Sequence, residues 1–251
     1  MLPLSDDNPK LLFPYATLLL ITLTVLAWFL LQGAGSEPQL SASVCTLGIV
    51  AGELLQKLAP GTSLQIGPQL YCVMGDIPNW YTMLTYMFMH GGWMHLLGNL
   101  WFLWVFGRSV EDAMGPFRFI CFYIICGLAA AGLQIAFAPA SAIPLVGASG
   151  AIGGIMGAYL MLYPKVQVNM LMFLVIYITT IRIPAMFMLF YWLAIQLVGA
   201  LYSIGSDVGG VAFWAHIGGF VTGGLLIRLW IKPELLHKHP HYGWSKTSAN
   251  S

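Results

Sequence analysis

Ser149 and His216 are the two side chains whose chemistry could combine in an acyl-transfer reaction. Ser149 lies near the start of a glycine-rich apolar run at 146–158, and His216 lies in a second apolar segment. A serine hydroxyl is a poor nucleophile near neutral pH and needs a general base within hydrogen-bond reach, most often a histidine. Because neither segment contains a carboxylate, the sequence predicts a Ser–His dyad, with Ser149 as nucleophile and His216 as base.

His95 and Asn99 could stabilise the charge that such a reaction creates. A carbonyl under attack develops negative charge, which preorganised hydrogen-bond donors stabilise. The two residues are four apart in the sequence, so on a helix they share one face. His95, Asn99 and the backbone N–H of Ser149 are therefore candidate donors, and His90 is a weaker candidate near the mouth of the site.

Each of these side chains also has an ordinary structural explanation. A serine in an apolar helix often bonds to the carbonyl four residues earlier, and His216, His95 or Asn99 could simply link neighbouring helices. The depth of each residue below the membrane surface can be counted from its flanking loop at about 1.5 Å per residue. For His216 that loop is 207–210. Ser149, His216 and Asn99 then share a depth of roughly 7 to 10 Å. Polar groups at one depth favour a water-filled site, because each alone would be costly in hydrocarbon.

Two other kinds of function fit the sequence less well. A metal site could use His90, His95 and His216, but the first two are out of register for one helix face and no His-Glu-x-x-His motif is present. A transporter would be expected to show inverted halves with coupling carboxylates, and neither is visible. The sequence therefore favours a Ser–His enzyme over a metal site or a transporter.

The elements that carry these residues are predicted to lie in a membrane. Hydrophobic residues make up 59% of the 251 residues and charged ones only 8%, against about 25% charged in soluble domains. A helix that spans a bilayer needs about 20 apolar residues. Six segments qualify, the second only if His95 and Asn99 face protein: 11–31, 93–107, 117–137, 145–162, 184–203 and 211–231.

A seventh apolar segment, 166–181, is short and lies between Lys165 and Arg182. We expect it to dip into the membrane or lie on its surface, with a seventh span as the alternative. Lys and Arg stay preferentially on the cytoplasmic side. With six spans and a cytoplasmic N-terminus, only Lys57 of the ten basic residues falls outside, and a seventh span would spoil this asymmetry.

The predicted organisation is thus an all-α six-helix membrane domain at 11–231, with cytoplasmic segments at 1–10 and 232–251. An outer loop occupies 33–92, with a short helix at 45–58 and a segment at 80–89 that lies at the membrane interface. Cys45 and Cys72 share this loop and could form a disulfide, a question that the sequence leaves open. The net charge of +1 and scattered basic residues give no sign of nucleic-acid binding.

Glycine spacing predicts which spans meet. Small residues four apart let helix backbones approach closely. We therefore expect the fourth and sixth spans to touch and to bring Ser149 to His216. The pairs at this spacing are Gly150 with Gly154, Gly153 with Gly157, and Gly219 with Gly223.

Taken together and in order, these motifs resemble the rhomboid intramembrane serine proteases over nearly the whole chain. The resemblance implies a six-helix bundle in the cell (plasma or inner) membrane whose active site opens to the extracytoplasmic side. It also implies that a Ser149–His216 dyad, without a cofactor, cuts single-span membrane proteins near the outer end of a helix. The motifs that carry it are His90…His95-x-x-x-Asn99, 107–111, Gly147-x-Ser149-Gly150 and Ala215-His216-x-x-Gly219.

By the same resemblance His95 and Asn99 are the oxyanion donors, with Gly147 beside them, and the fifth span is the entry gate. Two features depart from the family. Gly153 stands where some members have a tyrosine under the catalytic histidine, and 33–79 lacks the arginine of a tryptophan–arginine pair. A rhomboid-like pseudoprotease that binds transmembrane helices without cutting them is the alternative, although both dyad residues are present.

Overall fold

The computed structural model describes residues 2–67, 70–174, 177–203 and 211–243 of the chain. Its first half contains a strand, a long helix, a loop region with short helices and a hairpin, and a long kinked helix. In chain order these are β1 (Leu2–Asp6), α1 (Tyr15–Leu30), a 3-10 turn (Gly33–Gly35), α2 (Gln39–Leu47), α3 (Ala51–Leu54), β2 (Ser63–Gly67), β3 (Leu70–Val73), α4 (Thr82–Thr85), a 3-10 turn (Tyr86–Phe88), α5 (Trp93–Phe102), a π-helical stretch (Leu103–Gly107) and α6 (Arg108–Met114).

The second half contains four long helices and a second hairpin. These elements are α7 (Pro116–Phe137), α8 (Ser149–Leu162), β4 (Gln167–Leu174), β5 (Tyr177–Pro184), α9 (Ala185–Ser203), α10 (Phe213–Trp230) and α11 (Pro233–Leu236). Each of the six predicted segments contains a helix. Of the described helices, α7 and α9 are long and apolar enough to cross a membrane, and α1 and α8 are shorter apolar helices.

The second predicted segment is longer than expected. From Trp93 to Met114 the chain stays helical through the π-helical stretch, so Glu111 and Asp112 lie on α6 and are buried. The Glu111 carboxylate accepts hydrogen bonds from the backbone N–H groups of Ala16 and Thr17, each at 2.8 Å. A helix N-terminus leaves such groups without a partner inside the helix and favours negative charge. Glu111 therefore anchors the start of α1 to α6.

The alternative of a seventh helical span at 166–181 is wrong, and so is the expectation of a fold without strands. This segment forms the β4–β5 hairpin, and β1 adds to it as a third antiparallel strand in the order β1-β4-β5. Val168 and Met170 are buried and alternate with the more exposed Gln167 and Asn169, which is the period of a strand with one buried face. Both alternatives treated the segment as an isolated apolar stretch, whereas β1 supplies its partner from the other end of the chain.

Three side chains bond to Asp6, the last residue of β1. The Asp6 carboxylate accepts from Ser109 of α6 at 2.9 Å and from Tyr159 of α8 at 2.7 Å, and Lys10 donates to it at 2.5 Å. Burial lowers the pKa of Lys10 and the Asp6 charge opposes that effect. Residues 2–10 are thus fixed to α6 and to the C-terminal part of α8.

The predicted short helix at 45–58 is only partly confirmed. Helix α2 begins earlier and ends at Leu47, Gly48 is extended, and α3 covers four residues. A disulfide joins Cys45 to Cys72 and so connects α2 to β3, which resolves the question that the sequence left open. The interface segment at 80–89 contains α4 and a 3-10 turn.

The predicted contact between the fourth and sixth segments is confirmed. Helices α8 and α10 approach so closely that a Cβ on Gly219 would stand 1.9 Å from the Gly150 carbonyl oxygen. A Cβ on Gly223 would stand at the same distance from the Gly154 carbonyl oxygen. Only glycine permits this backbone contact, and it sets the distance between the N-terminal halves of the two helices.

Candidate active site

Ser149 is the first residue of α8, and the chain before it is held in place from two sides. Leu145 exchanges two backbone hydrogen bonds with Ile49 of the outer loop, at 2.8 and 3.0 Å. The N–H of Gly147 donates to the carbonyl oxygen of Tyr86 at 2.9 Å. These contacts fix the turn that enters α8, so the position of the Ser149 hydroxyl does not depend on a free loop.

Across the α8–α10 contact, Ser149 meets His216. The distance between Ser149 Oγ and His216 Nε2 is 2.8 Å, an ordinary hydrogen bond. The structure therefore brings together the two residues that the sequence singled out as nucleophile and base. The loop at 207–210, from which the depth of His216 was counted, lies outside the described residues.

The other ring nitrogen of His216 contacts Gln196 of α9, a residue that sequence reasoning did not include in the site. His216 Nδ1 lies 2.7 Å from Gln196 Oε1, and the Trp192 ring lies against the imidazole at 5.8 Å between centroids. The sequence did contain an indication of its importance, because Gln196 is the only charged or amide residue in α9 and a buried amide needs a hydrogen-bond partner. Which helix would supply that partner was not readable from the sequence.

Gly153, the position where some family members carry a tyrosine, lies directly against α10. A Cβ there would stand 2.9 Å from the backbone oxygen of His216, closer than real Cβ contacts come. A large side chain at 153 would therefore require α8 and α10 to separate. In this chain the imidazole is flanked by Trp192 and Gln196 of α9.

His95 and Asn99 lie on one face of α5 and point towards the turn before Ser149, as their spacing predicted. A Cβ on Gly147 would stand 2.6 Å from His95 Nε2 and 3.5 Å from Asn99 Nδ2. Gly147 has φ +123, a conformation that side chains strongly disfavour. Since its N–H is engaged by Tyr86, Gly147 contributes space for the two donors and not a donor of its own.

The other hydrogen bonds of His95 and Asn99 indicate which of their N–H groups are available as donors. Gly91 N–H donates to His95 Nδ1 at 3.4 Å, which leaves the proton of a neutral His95 on Nε2. Asn99 Nδ2 lies 2.9 Å from His90 Nε2, so one of its two N–H groups is engaged and the other remains. One N–H from each residue is therefore available on the Gly147 side.

The prediction that His90 lies at the mouth of the site is wrong. Its side chain is fully buried, and its backbone N–H and carbonyl oxygen both bond to the Gln32 amide at 2.8 Å. The His90 ring packs edge-on against the His95 ring at 5.0 Å. His90 therefore supports Asn99 and His95 from behind, a place that its sequence position ahead of α5 did not reveal.

A cavity of about 1080 Å³ opens onto these groups. Ser149, His216, His95 and Asn99 all line it, and its other walls are largely apolar. Among the described lining residues none is acidic, and the two histidines are the only basic ones. A hydroxyl, an imidazole and two N–H groups thus line one cavity, an arrangement that could support acyl transfer.

Comparison with known proteins gives consistent matches. A family model of the rhomboid domain matches residues 78–233. The chain is 30% identical over 205 residues to Rhomboid protease GluP of Bacillus subtilis (strain 168), covering 82% of this chain and 35% of that protein. It is 28% identical over 216 residues to RHOMBOID-like protein 4 of Arabidopsis thaliana, covering 86% and 45% respectively.

A shorter match, 39% identical over 80 residues, is to Rhomboid-like protein 11, chloroplastic, of Arabidopsis thaliana, and it covers 32% of this chain and 28% of that protein. The chain therefore spans less than half the length of each of these relatives.

Proposed function

The chain belongs to the rhomboid family, and on that premise we propose that it is an intramembrane serine endopeptidase with a Ser149–His216 dyad. The observation that carries the proposal is the 2.8 Å contact between Ser149 Oγ and His216 Nε2 inside a cavity that His95 and Asn99 also line. One of its relatives, Rhomboid protease GluP, is named as a protease. No other side chain is needed to supply a nucleophile or a base.

The first half of the reaction transfers the acyl group to the enzyme. Ser149 Oγ attacks the scissile carbonyl carbon while its proton passes to His216 Nε2. The resulting oxyanion accepts hydrogen bonds from His95 Nε2–H and Asn99 Nδ2–H. As the C–N bond breaks, the proton on His216 Nε2 is given to the departing amine, which leaves an acyl ester on Ser149.

The second half releases the acyl group with water. His216 Nε2 removes a proton from water, the hydroxide oxygen attacks the ester carbon, and the same two donors stabilise the second oxyanion. The proton then returns from His216 to Ser149 Oγ as the ester bond breaks. The products are a carboxylic acid, an amine and the starting enzyme, so neither a metal nor a cofactor enters the balance.

The substrates in this proposal are single-span membrane proteins, held in the lipid bilayer and cut near the outer end of the helix. The long helices α1, α5–α6, α7, α8, α9 and α10 would be the six spans, with both chain ends in the cytoplasm. In this proposal the bilayer is the cell membrane, and the orientation of the spans rests on the distribution of Lys and Arg. Protease added to the outer side of sealed vesicles should leave residues 237–251 intact, and cleavage there would contradict this topology.

A fluorophosphonate probe tests the proposed nucleophile directly. Incubation with detergent-purified protein, followed by mass spectrometry, should locate the probe on Ser149, and both Ser149→Ala and His216→Ala should abolish labelling. Ser141 is a matched control, because it is a second serine on the cavity wall, and Ser141→Ala should label normally. If the wild type is not labelled but binds a transmembrane helix, and Ser149→Ala binds the helix equally well, the protein is the pseudoprotease instead.

A further inference from the structure

The contact between His216 and Gln196 joins the proposed base to a helix that carries neither member of the dyad. His216 Nδ1 lies 2.7 Å from Gln196 Oε1. The Gln196 side chain is buried at 6% exposure, although its neighbours Ile195 and Leu197 on α9 are both 45% exposed. A buried amide on an otherwise apolar helix face is costly unless it is bonded. Gln196 Nε2 donates to the Trp192 carbonyl oxygen at 3.4 Å, which leaves Oε1 to accept from His216.

This contact determines which ring nitrogen carries the proton. An amide oxygen can only accept a hydrogen bond, so a neutral His216 must place its proton on Nδ1 to satisfy Gln196 Oε1. Nε2 is then unprotonated and accepts the Ser149 Oγ–H. The opposite tautomer would face Gln196 with an unprotonated nitrogen and Ser149 with an N–H, and it could not remove the serine proton.

A carboxylate performs this task in Ser-His-Asp enzymes by bonding to Nδ1–H and so fixing the tautomer and the ring orientation. Among the described residues that line the cavity there is no carboxylate. Trp192, one helical turn before Gln196, packs on the imidazole ring and limits its tilt. Gln196 and Trp192 together therefore restrict the ring in the way that a third catalytic residue or an aromatic ring on α8 would.

We propose that Gln196 is a positioning residue that holds His216 in the Nδ1-protonated tautomer required to activate Ser149. This inference rests on the proposed function, because it assigns how the base of that same site is oriented. It also makes the orientation of His216 depend on where α9 lies relative to α10.

The test compares two replacements of Gln196. A structural role and a positioning role predict opposite answers to which replacement slows the reaction more. Gln196→Met nearly preserves the shape of the side chain but removes the acceptor, whereas Gln196→Glu keeps an oxygen acceptor and introduces an acidic group into an apolar wall. If Gln196 only fills space, Met is the milder change. If it positions His216, Glu is the milder change.

The measurement is the rate of fluorophosphonate labelling as a function of probe concentration, which separates the maximal inactivation rate from the probe affinity. Gln196→Met should lower the maximal rate about tenfold, as expected for the loss of one buried hydrogen bond, with probe affinity and melting temperature close to wild type. Gln196→Glu should recover most of the rate. Leu197→Met is the matched control on the exposed face of α9 and should behave as wild type.

Two failures are distinguishable. If wild-type Ser149 does not react with the probe, the proposed protease function fails before Gln196 is considered. If wild type reacts and Gln196→Met reacts equally fast, or if Gln196→Glu is the slower of the two, the positioning role is wrong and the dyad stands without it.

Discussion

The Nε2 atom of His95 lies 2.6 Å from the point where a Cβ would stand on Gly147. Any side chain at 147 would therefore displace the His95 ring, and the backbone at φ +123 would be strained as well. Gly147 thus leaves the space that the His95 ring, the proposed oxyanion donor on α5, occupies.

Gly147→Ala should lower the rate of peptide cleavage at least tenfold, because His95 has to move away from the position of the developing oxyanion. Cleavage of a transmembrane substrate in detergent micelles is the measurement. Gly132→Ala on α7 is the matched control, since a Cβ there meets no atom within 4 Å. Wild-type cleavage by Gly147→Ala would contradict the assignment of His95.

Asn99→Ala should lower kcat by roughly 10²-fold with little change in KM, because removing one oxyanion donor acts on the transition state. Steady-state kinetics separates the two constants. The change also leaves His90 Nε2 without its partner, so the melting temperature has to be measured beside it. An unchanged kcat in a folded variant would exclude the oxyanion role.

Gly219→Ala should destabilise the protein by about 1 to 3 kcal/mol, the usual cost of overpacking, because the added methyl would meet the Gly150 carbonyl oxygen at 1.9 Å. Thermal unfolding in detergent measures this. Gly224→Ala on the same helix is the control, since its nearest neighbour would be 3.6 Å away. Equal melting temperatures for the two variants would show that α8 and α10 do not rely on this contact.

Because His239 is buried, we expect the stability of the protein to depend on pH. Its ring is buried beside Tyr163, and its Nε2 lies 3.8 Å from Asp112. Burial lowers the pKa of His239, and the Asp112 charge opposes this only in part. The unfolded chain therefore binds a proton more readily than the folded one, so this contribution to stability is lost as the pH falls below about 6.5.

Melting temperatures between pH 7.5 and pH 5 check this prediction. His239→Gln should reduce the fall in melting temperature on acidification, and the exposed His237 offers the control His237→Gln, which should keep the wild-type slope. An identical slope in His239→Gln would mean that the buried histidine does not titrate in this range.

Much of the candidate site was predictable from the sequence, and for a physical reason. Ser149 and His216 lie in segments whose glycine spacing requires close backbone contact, so their meeting followed from local pattern. His95 and Asn99 followed from the period of one helix. Gln196 could not be assigned, because a single amide on an apolar helix indicates that it has a partner but not which one.

The fold was less predictable where partners are distant in the chain. The segment 166–181 forms a hairpin that β1 joins as a third strand, and the N-terminal residues carried no signal that they would reach β4. His90 shows the same limit at short range. Its backbone bonds to the side chain of Gln32, which follows α1 and is 58 residues away, and no spacing rule connects the two.

The pairing of β1 with β4 has a consequence for the order in which the molecule is completed. Leu2 lies opposite Leu171, and Asp6 bonds to Tyr159. A ribosome makes the first of each pair early and its partner only after most of the chain has been synthesised. The strand before α1 therefore waits unpaired until the hairpin emerges, and the three-stranded sheet can form only after α8 has been synthesised.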